Sequence, residues 1–217
     1  QILDTTIRGR KDIEDNLSVP FLGDIPQYSG EKQRGSFVVR ENGRDPVSEA
    51  FRMIRSNMNF MNLGKSEIKV IMVTSSNPHA GKTFVSTNLA MTFATTGKKV
   101  VIMDLDLRRR TFSKQMGHGG DTNGVSSYLS GSTGLQAIIR KSKLSENLDI
   151  IYAGIQPPNP SEMLLSQRME ELIAELKLHY DYIIIDSTPA MAVADAIITD
   201  RLADLSIYVV REGLLDR

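Results

Sequence analysis

Five short runs along the chain are apolar on both faces of an extended backbone. They are 69–75 (KVIMVTS), 99–106 (KVVIMDLD), 148–153 (LDIIYA), 182–186 (YIIID) and 205–210 (LSIYVV). Each reads as a strand buried on both sides. Between them, polar and apolar residues recur at helical spacing over roughly 82–96 (closed by Gly97), in two short stretches around 124–140, and over 161–178 and 193–203. Upstream, Phe51, Ile54, Met58 and Met61 lie three and four residues apart and predict an amphipathic helix starting near Ser48. Strands alternating with helices predict an α/β fold, a parallel β-sheet flanked by helices on both faces.

The pattern is different before residue 47. A charged segment, GRKDIEDNL, precedes VPFLGDIP, whose two prolines and glycine predict an extended, turn-rich arm. Residues 27–46 are polar and glycine-bearing around one apolar cluster, FVV, and read as a linker or mobile loop. The predicted organisation is therefore an N-terminal arm and linker, 1–46, and a single domain, 47–217. The first residue is Gln1 and the last follow directly on a strand, so both ends read as cuts from a longer chain.

Composition removes several function classes. Lys plus Arg and Asp plus Glu both number 26, so no global field draws the chain to nucleic acid, and no nucleic-acid partner is expected. Cysteine is absent, which removes disulfides and thiolate metal sites and fits a reducing compartment. His79, His118 and His179 are too dispersed to suggest zinc. No apolar run approaches the roughly 20 residues of a membrane-spanning helix.

Three polar motifs fall at strand ends. The first, SNPHAGKT, joins strand to helix and matches the phosphate-loop pattern G-x4-G-K-[ST] with Ser76 at the first glycine. Gly81 lets the backbone curl so that successive N–H groups, with the helix N-terminus behind them, face a phosphate. Lys82 can reach the β- and γ-phosphates, and the Thr83 hydroxyl can ligate Mg²⁺. A solvated turn is the plainer reading of Gly-Lys-Thr alone; its position between a strand and a helix favours nucleotide binding. The second motif, VVIMDLDLRRR, projects Asp104 and Asp106 from one face of an extended backbone. Such acids are costly to bury unless paired or metal-bound, although capping and neutralisation by Arg108, Arg109 and Arg110 would also satisfy them. The third, DYIIIDSTPA, ends the most apolar run on Asp186. In parallel sheets ligands sit beyond the carboxyl ends of strands, so all three motifs meet at one edge. A shared site for ATP and Mg²⁺ accounts for that convergence.

With these residues, the chain resembles the cytoplasmic domain of bacterial tyrosine kinases (BY-kinases) of capsule and exopolysaccharide assembly, with a P-loop NTPase fold of the MinD/ParA-like type. The resemblance implies a Walker A nucleotide loop of Ser76, Asn77, Pro78, His79, Ala80, Gly81, Lys82 and Thr83, extended to Phe84. It implies a Walker A′ motif carrying Asp104 and Asp106 and a Walker B motif carrying Asp186, with Thr83, Asp104 and Asp186 around the metal. EAFRMIR supplies Glu49, Arg52 and Arg55, which match the family's E-x2-R-x2-R motif. That match implies packing of subunits in a homo-oligomeric ring, each kinase phosphorylating a tyrosine-rich tail of its neighbour. The resemblance also implies a partnership with polysaccharide export machinery at the cytoplasmic face of the bacterial inner membrane, the N-terminal arm leading from the last transmembrane helix.

Two features depart from the family pattern. Thr188 stands where relatives carry the first proline of D-[TS]-P-P, and the C-terminal tyrosine cluster is absent. Of the six tyrosines, Tyr152, Tyr182 and Tyr208 fall in predicted strands and read as core, leaving Tyr28 as the accessible candidate. The implied reaction transfers the γ-phosphoryl of ATP to a tyrosine hydroxyl, with Lys82, Asp104, Asp106 and Asp186 as its catalytic groups. Either Asp106 or Asp104 would orient or deprotonate the tyrosine, and Arg108 would hold the acids or a phosphate. The alternatives are a MinD/ParA-like ATPase, which would carry a signature lysine where Asn77 stands, and a nucleotide-gated assembly module without transfer.

Overall fold

The structure, a computed structural model, describes residues 9–16, 18–28, 37–61, 67–75, 77–189, 198 and 201–213. Its elements in chain order are α1 (Arg10–Asn16), α2 (Pro46–Met61), β1 (Val70–Thr74), α3 (Lys82–Ala94), β2 (Val100–Asp104), α4 (Thr111–Gln115), α5 (Val125–Leu129), α6 (Leu135–Ile138), β3 (Ile139–Lys141), β4 (Leu148–Ile151), α7 (Pro160–Leu164), α8 (Gln167–His179), β5 (Tyr182–Asp186) and β6 (Leu205–Tyr208). The strands form one sheet in the order β3-β4-β2-β5-β1-β6. Every pairing is parallel except β3 with β4.

The double-sided apolar pattern of the strands has a direct structural cause. Successive side chains leave a strand on opposite faces, and both faces of this sheet are covered. Val70 and Met72 of β1 enter one core with Val101, Met103, Ile183 and Ile185, roofed by Leu172 and Leu176 of α8. Ile71 and Val73 enter the other with Val100, Ile102 and Ile184, roofed by Leu89 and Phe93 of α3 and by Phe51 and Ile54 of α2. The helix α3 is buried along nearly its whole length, so its hydroxyls must be satisfied internally. Thr87 and Thr92 donate to the carbonyls of Thr83 and Asn88, both at 2.7 Å.

Several elements differ from the sequence reading. The stretch 124–140 holds the two short helices expected, but residues 139–141 turn into the antiparallel edge strand β3. The span 161–178 is two helices, α7 and α8, with Ser166 as N-cap of the second. A further helix, α4, follows directly on the acidic motif. The helix expected over 193–203 lies mostly outside the described residues; Ile198, Arg201 and Leu202 are helical. Tyr208, read as core, is 47% exposed on β6, and Tyr182 is half-buried, stacked on Phe93 at 4.0 Å. Tyr152 is buried as expected. Tyr28 is half-buried against the core of the α2/α3 face. Phe37 and Val39 are buried there too, and the Asn88 side-chain oxygen accepts from the N–H groups of Val38 (2.7 Å) and Val39 (2.9 Å).

One glycine is required by close approach. Gly124 is extended, and a Cβ there would lie 2.4 Å from both Gly154 N and Tyr152 O. The same crossing lets Val125 N–H and Ser126 N–H donate to Tyr152 O and Ala153 O, both at 2.9 Å, which anchors α5 to the end of β4. Gly124→Ala is therefore expected to cost about 1–3 kcal/mol by overpacking. The corresponding fall in thermal midpoint, read by circular dichroism, is roughly 3–10 °C.

Candidate active site

Parallel pairing places the carboxyl ends of β1, β2 and β5 side by side. Asp104 and Asp186 are register partners on β2 and β5, and Val73 of β1 lies opposite Asp186 on its other side. The loop after β1 leads straight into α3, whose first residues are Lys82 and Thr83. Gly81 caps that helix with φ +100°, a left-handed conformation costly for a residue bearing a Cβ. His79 also has positive φ, 63°. The loop carbonyls are held from two sides: Ser75 Oγ donates to Asn77 O at 2.7 Å and Arg211 Nη1 to His79 O at 3.2 Å. Ser76 lies outside the described residues. Ala80 is buried and Pro78 half-buried. The Phe84 ring packs toward Phe51 of α2, 6.2 Å between centroids. The N-cap of α3, Gly81, has no side chain with which to cap the helix, and the first-turn N–H groups of α3 suit an anion.

The hydroxyl of Thr83 donates to Asp186 Oδ2 at 2.7 Å, joining the first and third motifs. The other oxygen, Asp186 Oδ1, is buried without a hydrogen-bond partner. Burial raises the Asp186 pKa to about 6, against the opposing pull of the Thr83 hydroxyl, the Lys82 charge and the nearby Ser86 hydroxyl. That Ser86 hydroxyl is itself turned to donate to Lys82 O at 2.9 Å. Lys82 is half-buried; desolvation lowers its pKa, Asp186 and Asp106 pull it back, and Arg109 pushes it down further. These couplings set the ammonium group of the first motif against Asp106 of the second and Asp186 of the third.

Asp104 and Asp106 differ in what they still offer. Asp104 is fully buried, and both of its oxygens are engaged: Oδ1 accepts from Asp106 N–H at 3.0 Å, Oδ2 from Ser113 N–H at 3.0 Å and Ser113 Oγ at 2.6 Å. Burial, aided by the Asp186 charge, raises its pKa to about 7. Asp106 Oδ1 accepts from Arg109 N–H at 2.9 Å, while Oδ2 has only a long contact, 3.4 Å, from the Thr111 hydroxyl. Arg108 does not bind the acids; its Nη2 donates to Ser161 Oγ of α7 at 3.1 Å. Arg110, at φ 52°, sends Nη1 to the carbonyls of Gly119 and Gly154.

A divalent ion fits this set only with help from a ligand. Among the described residues no group of three or more Asp, Glu, His or Cys side chains is arranged to hold a metal. Thr83 Oγ and the orphaned Asp186 Oδ1 are hard oxygen donors, and Mg²⁺ commonly completes such a pair with phosphate oxygens and water. The residues therefore suit a metal that arrives with a phosphate chain.

The third set of residues lies away from this edge, on α2. Arg52 pairs with Glu49 at 2.6 Å and also donates to Gly43 O. Arg55 Nη1 donates to Thr92 O of α3 at 3.1 Å.

Comparison with known proteins agrees with this architecture. A family model described as an AAA domain matches residues 68–208. The tyrosine-protein kinase Etk of Escherichia coli K12 is 36% identical over 178 residues, 82% of this chain and 24% of Etk. The tyrosine-protein kinase YwqD of Bacillus subtilis 168 is 34% identical over 188 residues, 87% of this chain and 78% of YwqD. The chain belongs to the bacterial tyrosine kinase family. It superposes on the solved kinase domain of E. coli Etk with a TM-score of 0.83 at 32% identity, covering 94% of this chain and 81% of that one. The septum site-determining protein MinD of Pyrococcus horikoshii, solved with Mg-ADP, gives 0.55 at 25% identity over 65% of this chain and 57% of MinD. The chain thus shares the wider MinD-like fold but superposes better on the kinase domain of Etk. The chain spans about a quarter of the length of the first curated relatives it matches.

Sequence reading missed one partner of this site, Ser113. It belongs to no motif, and nothing in its immediate neighbours marks it.

Proposed function

We propose that this domain transfers the γ-phosphoryl group of ATP to the hydroxyl of a protein tyrosine. One observation carries the reading: Thr83 is bonded to Asp186 beside Lys82, with a buried Asp186 oxygen left unpartnered at an uncapped helix start. The α3 amides and Lys82 bind and neutralise the β- and γ-phosphates, the main requirement of a loose phosphoryl-transfer transition state. Thr83 and Asp186 would hold Mg²⁺ directly, with Asp104 behind them acting through water; the ion would supply charge neutralisation across the phosphates. Asp106, whose Oδ2 has spare capacity, takes the phenol proton as the tyrosine O–P bond forms and the bond to the ADP oxygen breaks.

The assembly reading follows from family membership. We place the domain in a homo-oligomer, with Glu49, Arg52 and Arg55 of α2 at the contact and a neighbour's tyrosine-rich tail as acceptor. Exposed Met53 and Phe60 on the same helix support an interface there. Association with polysaccharide export at the inner membrane rests on the same resemblance. No described helix is long and apolar enough to cross a membrane. The division into an arm, 1–46, and a kinase domain, 47–217, completes the reading.

The test is to incubate the protein with Mg·ATP and a tyrosine-rich acceptor peptide and to quantify phosphotyrosine and released phosphate together. Phosphotyrosine that forms with Mg²⁺ and fails to form with EDTA is the expected result. Phosphate release without phosphotyrosine would select the ATPase reading, and nucleotide binding with neither product would select the assembly module.

A further inference from the structure

Asp104 is the most thoroughly held acid of the site, and the residue that holds it comes from α4. Ser113 is 1% exposed and bonds Asp104 Oδ2 with both its N–H and its hydroxyl. The same hydroxyl accepts from Ala153 N–H at 3.0 Å, two residues past the end of β4. A relay therefore runs from Ala153 N–H through Ser113 Oγ–H to Asp104, tying β2, α4 and the end of β4 together. The other Asp104 oxygen holds Asp106 N–H, so the backbone carrying Asp106 is set by the same rotamer.

We propose that Ser113 is a positioning residue for phosphoryl transfer, fixing Asp104 in one orientation and, through it, the placement of Asp106. This rests on the phosphoryl-transfer reading above. The serine touches neither nucleotide nor acceptor. With the hydroxyl gone, Asp104 Oδ2 keeps a single donor and Ala153 N–H loses its acceptor inside a dry region. The carboxylate is then held on Oδ2 by the Ser113 N–H alone, which loosens its orientation and with it the grip of Oδ1 on Asp106 N–H. Small displacements of reacting groups cost far more in rate than in ground-state binding.

Ser113→Ala is expected to lower kcat for tyrosine phosphorylation about 10- to 100-fold. The KM for Mg·ATP should rise by no more than the Mg²⁺-dependent loss of nucleotide affinity, about 10-fold, since Lys82 and the α3 amides are untouched. Ser113→Thr, which keeps the hydroxyl, should recover most of the rate. In an Asp104→Asn background, Ser113→Ala should add nothing further, because the serine acts through Asp104. A second readout does not need transfer: calorimetric ADP affinity in Mg²⁺ should fall about 10-fold in Ser113→Ala, as for outer partners of metal sites, while ADP affinity in EDTA is unchanged. If the wild-type protein makes no phosphotyrosine, the kinase reading fails by itself and the Mg²⁺-dependent ADP affinity still tests Ser113. Wild-type kcat and Mg²⁺-dependent affinity in Ser113→Ala would overturn the inference, as would an equal loss of affinity in EDTA. Should Ser113→Ala fail to fold, Ser113→Cys carries the same test, with a smaller loss expected from its weaker donor and wild-type values again overturning it.

Discussion

Replacing Lys82 with methionine is expected to cut phosphotyrosine formation about 10²- to 10³-fold, the usual cost of removing one preorganised group that stabilises transition-state charge. Methionine nearly matches the lysine stem in length, so the packing of the α3 start survives. The ammonium group is already partly desolvated and its pKa lowered by burial, so its removal does not strip the fold of a strong stabilising pair. A thermal midpoint within a few degrees of wild type, together with the lost transfer, would assign the loss to chemistry. The amides at the helix start remain, so ADP should still bind, more weakly. Transfer at the wild-type rate in Lys82→Met would remove the lysine from the mechanism and with it the reading of the loop as a phosphate cradle.

Much of this arrangement is legible in the chain because the constraints are local. Apolar runs such as VIMVT and YIIID must be covered on both faces, and each became a central strand. The acids could be placed at one edge because a parallel sheet points all its strand ends the same way. What could not be read is set by contacts distant in sequence. Three residues, IRK, carry no strand pattern of their own and become β3 only by pairing with β4. The acceptor role of Asn88 for residues 38 and 39 spans about fifty positions and has no sequence signal. Ser113 reaches Asp104 because the chain turns through Arg110, a non-glycine residue in the left-handed region, which no turn rule would have nominated. Arg108 looked like a partner for acids or phosphate from its place in the motif, yet it is drawn to α7. Motifs told which residues cluster; the third dimension told which oxygens are still free.

Asp186→Asn should separate stability from function most sharply. Activity is expected to fall at least about 10²-fold, since the variant loses the negative charge that the metal and Lys82 both use. Thr83 Oγ can still donate to the amide oxygen, so the local geometry is largely retained. Stability should move the other way as pH rises. The native Asp186 pKa is raised to about 6 from 3.8, so the fold prefers the protonated form. Its favourable contribution is complete below about pH 4 and is lost as pH rises through about 6. Asparagine does not titrate. The stability of the variant relative to wild type should therefore climb between about pH 4 and pH 7, by an amount on the order of 3 kcal/mol. The Asp186 charge also helps raise the pKa of Asp104, so its removal relieves a second buried acid in the same direction. Denaturant titrations of the nucleotide-free proteins at pH 4.5 and 7.5 would measure the shift. Mg·ADP should oppose it, stabilising wild type more than the variant, because a bound cation offsets the same buried charge. A variant that loses stability relative to wild type over that interval would mean that Asp186 serves the fold, and the orphaned oxygen would no longer mark a place for a metal.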